Sequence, residues 1–270
     1  MRAFTPGVPP TGLGALRTHL AVLWASARIQ AVLTLRSPAV VILAGVQPAA
    51  LLLITLPRDP GDRDTAARVL VSVLVTCLWG GLVWMAGGII RRDLVQGTMT
   101  RSVVGVRDPR LVLVGKCAGA VLFTCGALAA VGTAASLLFG LRLRLPPPLP
   151  LLVGLVMAVV SAVATGMLLS CVFVLTRHGV HLGNALLYPV YILGGTIVPG
   201  GLIPPGLRWI AWLVPLRWAK EYMVDVLLGR PAGTSLAAMA VLAAVHFLTG
   251  SVLFRKVVDR ARRRGTLEFT

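Results

Sequence analysis

The charged residues of this chain crowd into a few short segments, and between them lie six charge-free windows, each longer than twenty positions. The windows run from Arg36 to Arg58, Arg68 to Arg91, Lys116 to Arg142, Arg144 to Arg177, Arg177 to Arg208 and Arg230 to Arg255. All are dense in Leu, Val, Ala and Ile. A helix needs about 20 predominantly apolar residues to cross roughly 30 Å of hydrocarbon. One Arg or Asp at the centre of such a span costs about 2.5–3.5 kcal/mol on insertion scales. That 26 basic and 9 acidic residues avoid all six windows marks a lipid bilayer as the solvent. Backbone amides in hydrocarbon need partners within their own segment, so the spans must be helices. The expected fold is an all-α integral membrane protein, one transmembrane domain over 1–270. Its six transmembrane helices are expected near 38–56, 69–90, 112–138, 150–175, 182–198 and 235–254.

A hydrophobic fraction of 57% and 13% charge exclude an ordinary soluble domain. The net charge of +17 suggests nucleic acid until its distribution is considered. With both termini in the cytoplasm, segments 1–37, 91–116, 177–181 and 255–270 carry 17 of the 26 Lys and Arg. The opposite side carries 9. This is the positive-inside bias of a plasma-membrane protein, and the basic tail reads as a flank near anionic lipid rather than a nucleic-acid site. Cys77, Cys117, Cys125 and Cys171 all fall in spans, which implies packing residues and no disulfide framework. No cleavable signal peptide is expected, because a long polar-basic lead precedes the first span. Within that lead, Leu16, Leu20, Leu23, Trp24, Ala27 and Ala31 recur at helical spacing, predicting a cytoplasmic interfacial helix over 13–36.

Several chemistries lack their residues. Gly115-Lys116-Cys117 does not form a phosphate loop, so nucleotide hydrolysis by that route is not expected. His178 and His181 have no carboxylate or thiol beside them to complete a metal site. None of the nine acids lies in a window, whereas ion-coupled carriers usually keep carboxylates there. His246, inside the last window, reads as a packed histidine bonded to a neighbouring helix. A transporter of this kind draws its energy from a partner or is passive.

Two segments carry the remaining signal. On the inside, Arg91-Arg92-Asp93-Leu94-Val95-Gln96-Gly97-Thr98-Met99 follows the second span. Gly97 is expected to break that helix, Thr98 to cap a short new one, and Pro109 to open the next ascent. A short charged helix over 91–108 with Leu94 and Met99 exposed suits a groove on a soluble subunit; a solvated basic loop would use the same residues. On the outside, 199–234 combines Pro199, Pro204 and Pro215 with Trp209, Trp212 and Trp218. Apolar and Trp residues in a polar segment predict short helices dipping back into the outer leaflet, a re-entrant helical hairpin between spans five and six. A protein-interaction loop is the alternative.

In these residues the chain resembles the type-2 exporter permeases of ATP-binding cassette (ABC) transporters. That group includes the daunorubicin-type drug exporters and the polysaccharide and nodulation-factor exporters. The resemblance rests on Arg92-Asp93, Gly97-Thr98-Met99, Pro109 and Gly115-Lys116 inside, and on the proline-rich turn and second proline outside. It departs where Asp93 replaces a usual Glu, Thr100 a usual acid and Val214 a usual Asn, and where Asp225 stands near a usual Arg. It implies that Arg92, Asp93, Leu94, Gly97, Thr98 and Met99 belong to a coupling helix. Pro199, Pro204, Trp209, Trp212, Pro215 and Trp218 would form an external gate. It also implies two copies of a soluble ATPase that uses ATP and Mg, a second permease of the same or a homologous chain, and an amphiphilic, drug-like or lipid-linked substrate. A membrane immunity or scaffold protein acting without ATP is the alternative; a neighbouring gene for a phosphate-loop ATPase would distinguish the two.

Overall fold

The computed structural model describes residues 13–38, 41–55, 63–99, 106, 108–140, 147–176, 178–195 and 204–263. Among them the regular structure is helical, with no strand. The chain begins with α1 (Leu13–Leu35). A π-helical turn at Val41–Val46 then leads into α2 (Gln47–Thr55). Pro48 explains the widened turn, because it has no N–H to return to Ala44 four residues back. Next, α3 (Arg63–Gly81) runs into a second π turn, Leu82–Ala86, closed by the Gly87 N–H on Leu82 O at 2.9 Å. The helix restarts as α4 (Ile89–Val95). Two long helices follow, α5 (Pro109–Leu138) and α6 (Pro148–Leu175), and then α7 (Gly179–Leu193). The last elements are the short α8 (Arg208–Trp212), α9 (Pro215–Leu227) and the 31-residue α10 (Gly233–Arg263).

Among the described residues, four stretches are long and apolar enough to cross a membrane: Asp64–Val95, Pro109–Leu138, Pro148–Leu175 and Gly233–Ala261. They answer the expected spans two, three, four and six. The expected spans at 38–56 and 182–198 are not matched by helices of that length. The apolar helix Ile42–Thr55 and the 15-residue α7 each extend only about 22 Å at 1.5 Å per residue. Each contains a proline, Pro48 and Pro189, and the adjoining residues 39–40, 56–62 and 196–203 lie outside the described set.

Contacts between distant parts of the chain sort the helices into two ends. At one end the Tyr222 hydroxyl donates to Pro150 O at 2.8 Å, and Arg230 lies 3.8 Å from Asp64. At the other, Lys116 pairs with Asp93, and Arg260 Nη1 donates to Leu175 O at 3.3 Å. Pairings of Thr165 with His246, Cys171 with Gly250 and Leu175 with Arg260 advance together, so α6 and α10 run parallel. Burial then separates centre from edge. The apolar window of Asp64–Val95 is 72% buried, that of Gly233–Ala261 only 28%. Three of the four cysteines, Cys77, Cys117 and Cys171, are fully buried packing residues, as their positions predict.

Helix α1 is present where expected, but it lies along α5 rather than across it. His19 shares a cavity with Asp108–Arg110, Leu23 and Ser26 meet Gly115, and Ala27 meets Gly119. A Cβ at Gly119 would fall 2.1 Å from Ala27 O, so this glycine is what allows the two backbones to touch. The face turned to α5 is polar at Ser26, Gln30 and Thr34, while Leu16, Leu20 and Trp24 point outward. A water-soluble helix would be oriented the other way, although the outward side of α1 also carries the exposed Arg17 and Arg28.

Candidate functional site

The residues expected to couple the permease to a soluble partner gather at the Asp93–Lys116 end. There α4 stops in a Schellman motif. Thr98 N–H reaches Asp93 O at 2.9 Å, Gly97 N–H reaches Leu94 O at 3.2 Å, and Gly97 holds φ 67°. Only glycine takes that conformation cheaply, which is why the helix ends there. Asp93 Oδ2 accepts from Lys116 Nζ at 2.6 Å, and the side chains are only 18% and 12% exposed. The partner of Asp93 is thus the lysine that opens span three, 23 residues on. Asp108 caps α5 by accepting from Arg110 N–H at 3.1 Å, with Pro109 at the first helical position as expected.

Two of the expected contact residues face inward. Met99 is 4% exposed and sits in the main core with Leu113 and Phe254, and Leu94 is partly buried against the same core. The Gly97 turn reverses the chain and sends Met99 back towards α5 and α10, which no helical wheel drawn through 91–99 anticipates. What the end of α4 exposes is Arg91, Val95 (81% exposed), Gln96 and Gly97. Arg92 is exposed along its length, but its guanidinium donates to Met85 O. Residues 100–105 and 107, which belong to the second half of the expected coupling helix at 91–108, lie outside the described residues.

Behind α4 the main chain is interrupted, and α6 repairs it. Ile90 N–H donates to Ser170 Oγ at 3.3 Å, and the Ser170 hydroxyl donates to Ala86 O at 3.1 Å. One buried hydroxyl thereby replaces the helical bond from residue 90 to residue 86 that the π turn removes. Gly87 leaves room for the ring of Phe173, which a Cβ would approach to 2.6 Å. Sequence reasoning passed over Ser170; the Gly87-Gly88 pair was its only local signal. Ser170→Ala leaves a buried carbonyl and a buried amide unpaired, so a loss of about 1–3 kcal/mol is expected. The measurement is thermal stability together with amide exchange at Ile90, and an unchanged exchange rate at Ile90 would refute the bridge.

At the opposite end, α8 and α9 meet at Leu213-Val214. The Trp218 indole N–H donates to Trp212 O at 2.9 Å, the two rings stack edge-on with centroids 6.0 Å apart, and the Arg217 guanidinium lies 5.4 Å from the Trp218 ring. Pro204 precedes the turn Pro205–Leu207, and Pro215 opens α9. Trp209 and Trp212 are exposed. Pro199 lies outside the described residues. Helix α9 buries Leu216, Ala219, Tyr222 and Val226, and its contacts fall on α3, α6 and α10. Lys220 Nζ donates to Gly195 O, tying α9 to the end of α7. Of the expected gate residues, Trp212, Pro215 and Trp218 come together while Trp209 stands apart.

Between the two ends a groove of about 520 Å³ opens among the π turn before α2, α2, α3 and α7. Its wall includes Gln47, Thr76, Trp84, Tyr188 and Tyr191. The mix of aromatic surface and a few polar atoms is that of a small-molecule site. These residues were not singled out in the sequence; Gln47, an amide within a charge-free window, was the available clue. His246 lies elsewhere, with Nδ1 3.0 Å from Thr165 Oγ1 on α6, a packed histidine as its position predicts. The rings of His178 and His181 are 6.0 Å apart, and among the described residues no group of three or more His, Cys, Asp or Glu is placed to hold a metal.

No curated protein matches the chain. A family model does: the one described as ABC-2 type transporter matches residues 22–228, from within α1 to the end of α9. The match includes the α4 turn, the Asp93–Lys116 pair, the groove and the Trp212–Trp218 hairpin, so this chain belongs to the ABC-2 type transporter membrane family and is a transport permease, not the ATPase.

Proposed function

We propose that this permease works in the plasma membrane as half of an ATP-driven exporter, paired with a second copy or a homologue and served by two soluble ATPase subunits that use ATP and Mg. The Asp93–Lys116 end faces the cytoplasm, as the distribution of Lys and Arg favours, and both termini lie on that side. Segments 38–56 and 182–198 complete six spans with the help of their flanking residues, and α8–α9 re-enters the outer leaflet. The substrate is an amphiphile, drug-like or lipid-linked, that travels along the Gln47–Tyr188 groove and leaves past Trp209 and Trp212.

One observation carries this reading. The stub of α4 exposes Arg91, Val95 and Gln96 on the protein surface while Asp93 is clamped to span three and Ile90 to α6. A push received there reaches the spans without first being absorbed by a loop. Val95→Glu and Arg91→Glu are expected to lower permease-dependent stimulation of the partner ATPase at least tenfold while membrane insertion is retained. ATPase activity is measured with permease and ATPase reconstituted together, and full stimulation in both variants would sink the assignment.

A further inference from the structure

At the proposed cytoplasmic end a second cavity, about 660 Å³, opens where the start of α1, the start of α5 and the end of α10 converge. His19, Asp108, Arg110, Arg255 and Asp259 line it, over a floor that includes Phe254 and Val258. Its size is that of a small-molecule site, but its chemistry differs from that of the groove: two guanidinium groups and two carboxylates line one opening, one of each from the start of α5 and one of each from α10. Neither Arg255 nor Asp259 has an ion-pair partner among the described residues. Arg110 reaches Asp108 only at 3.7 Å, which leaves most of its donors free.

Depth identifies what belongs there. Arg255 closes the last charge-free window, and Pro109 and Arg110 stand just before the window that opens at Lys116. The cavity therefore lies at headgroup level. Apolar residues run from both of its walls towards the membrane centre. On α10, Val252 and Leu248 stand three and seven residues before Arg255, and both are exposed. On α1, Leu20 and Trp24 follow His19 by one and five residues and are exposed.

We infer that this cavity holds the headgroup of a phospholipid bearing a primary ammonium, the ethanolamine class, with its acyl chains against Leu248 and Val252 on one side and Leu20 and Trp24 on the other. Arg110 and Arg255 take the phosphate through charge-assisted N–H donors. Asp259 takes the ammonium, and Asp108 stays with its cap. A purely anionic headgroup would leave Asp259 facing negative charge. A quaternary ammonium has no N–H to donate to the Asp259 carboxylate, whereas a primary ammonium has three. The inference needs the membrane placement of the chain but not its partnership with an ATPase.

The test is native mass spectrometry of the full chain in detergent. It is titrated with ethanolamine, choline and glycerol phospholipids of identical acyl chains, and separately with soluble glycerophosphoethanolamine. Ethanolamine lipid is expected to bind at least tenfold more tightly than the other two lipids and than the soluble headgroup. Arg255→Gln and Asp259→Asn should each weaken it about tenfold, whereas Lys256→Gln, exposed on the same helix but outside the cavity, should leave it unchanged. Both test positions are exposed, so the variants are expected to fold. Equal binding of the three lipids, a preference for the glycerol headgroup, equal binding of the soluble headgroup, or indifference to Arg255→Gln and Asp259→Asn would each overturn the proposal.

Discussion

Asp93→Asn is expected to destabilise the protein by about 1.5–3 kcal/mol, the range for losing a charged hydrogen-bond partner, because the pair is part-buried. The reason lies in Lys116. Its side chain is 12% exposed and its ammonium lies 2.6 Å from Asp93 Oδ2, so the neutral amide strands a positive charge beside Met99, Leu113 and Phe254. Lys116→Met strands the carboxylate in the same way and is expected to cost a similar amount. The double variant Asp93→Leu with Lys116→Met should recover most of the loss, because a buried pair replaced by apolar groups of similar volume is often neutral. Thermal unfolding of the four proteins in one detergent reads the series. Single variants within about 1 kcal/mol of the parent would show that water reaches the pair freely. The recovered double variant also separates stability from coupling. If it folds like the parent yet stimulates no ATPase, the clamp on α4 is needed for transmission and not merely for folding.

The second large effect is expected at Gly119. An alanine there places a carbon 2.1 Å from Ala27 O, and the obstacle is main chain, which cannot turn aside as a side-chain tip can. The helices must separate, and over-packing of this kind costs about 1–3 kcal/mol, with backbone clashes at the upper end or beyond. Separation would expose Ser26, Gln30 and Thr34 and open a gap along α5. Amide exchange should report it as lost protection across α1 while α6 and α10 keep theirs. Gly126→Ala supplies the contrast. It lies in the same helix with nothing within 4 Å, and removing a helical glycine should stabilise by about 0.5–1 kcal/mol. If Gly119→Ala were as benign as Gly126→Ala, the close approach of α1 would be refuted.

The long helices could be read from charge avoidance because lipid punishes charge at every depth. Spans expected at 112–138 and 150–175 correspond to Pro109–Leu138 and Pro148–Leu175. The last helix begins where expected but runs on to Arg263, about nine residues beyond its apolar window. Hydropathy marks where lipid ends, whereas Arg, Lys and Ala continue a helix readily in water. Charge gaps also say nothing of continuity, so they could not foresee the π turn before α2 or that α2 and α7 would each contain a proline, Pro48 and Pro189. At the coupling end, Gly97 and Pro109 were legible because a stop and a start are local chemistry. Met99 was not, since its burial depends on where the turn sends the chain. Lys116 and Ser170 meet their partners 23 and about 80 residues away in sequence, and no local pattern encodes such pairings.

The parallel course of α6 and α10 has an electrostatic consequence. Antiparallel neighbours cancel their peptide dipoles, but parallel ones add, and each carries roughly half a negative charge at its C-terminus. Both C-termini lie at the same end, near Leu175 and near Arg263. Arg260, whose guanidinium donates to the Leu175 carbonyl, answers that combined pole. Part of the basic charge at this end is therefore a counter-charge to two aligned helices, separate from any role it has in orienting the chain.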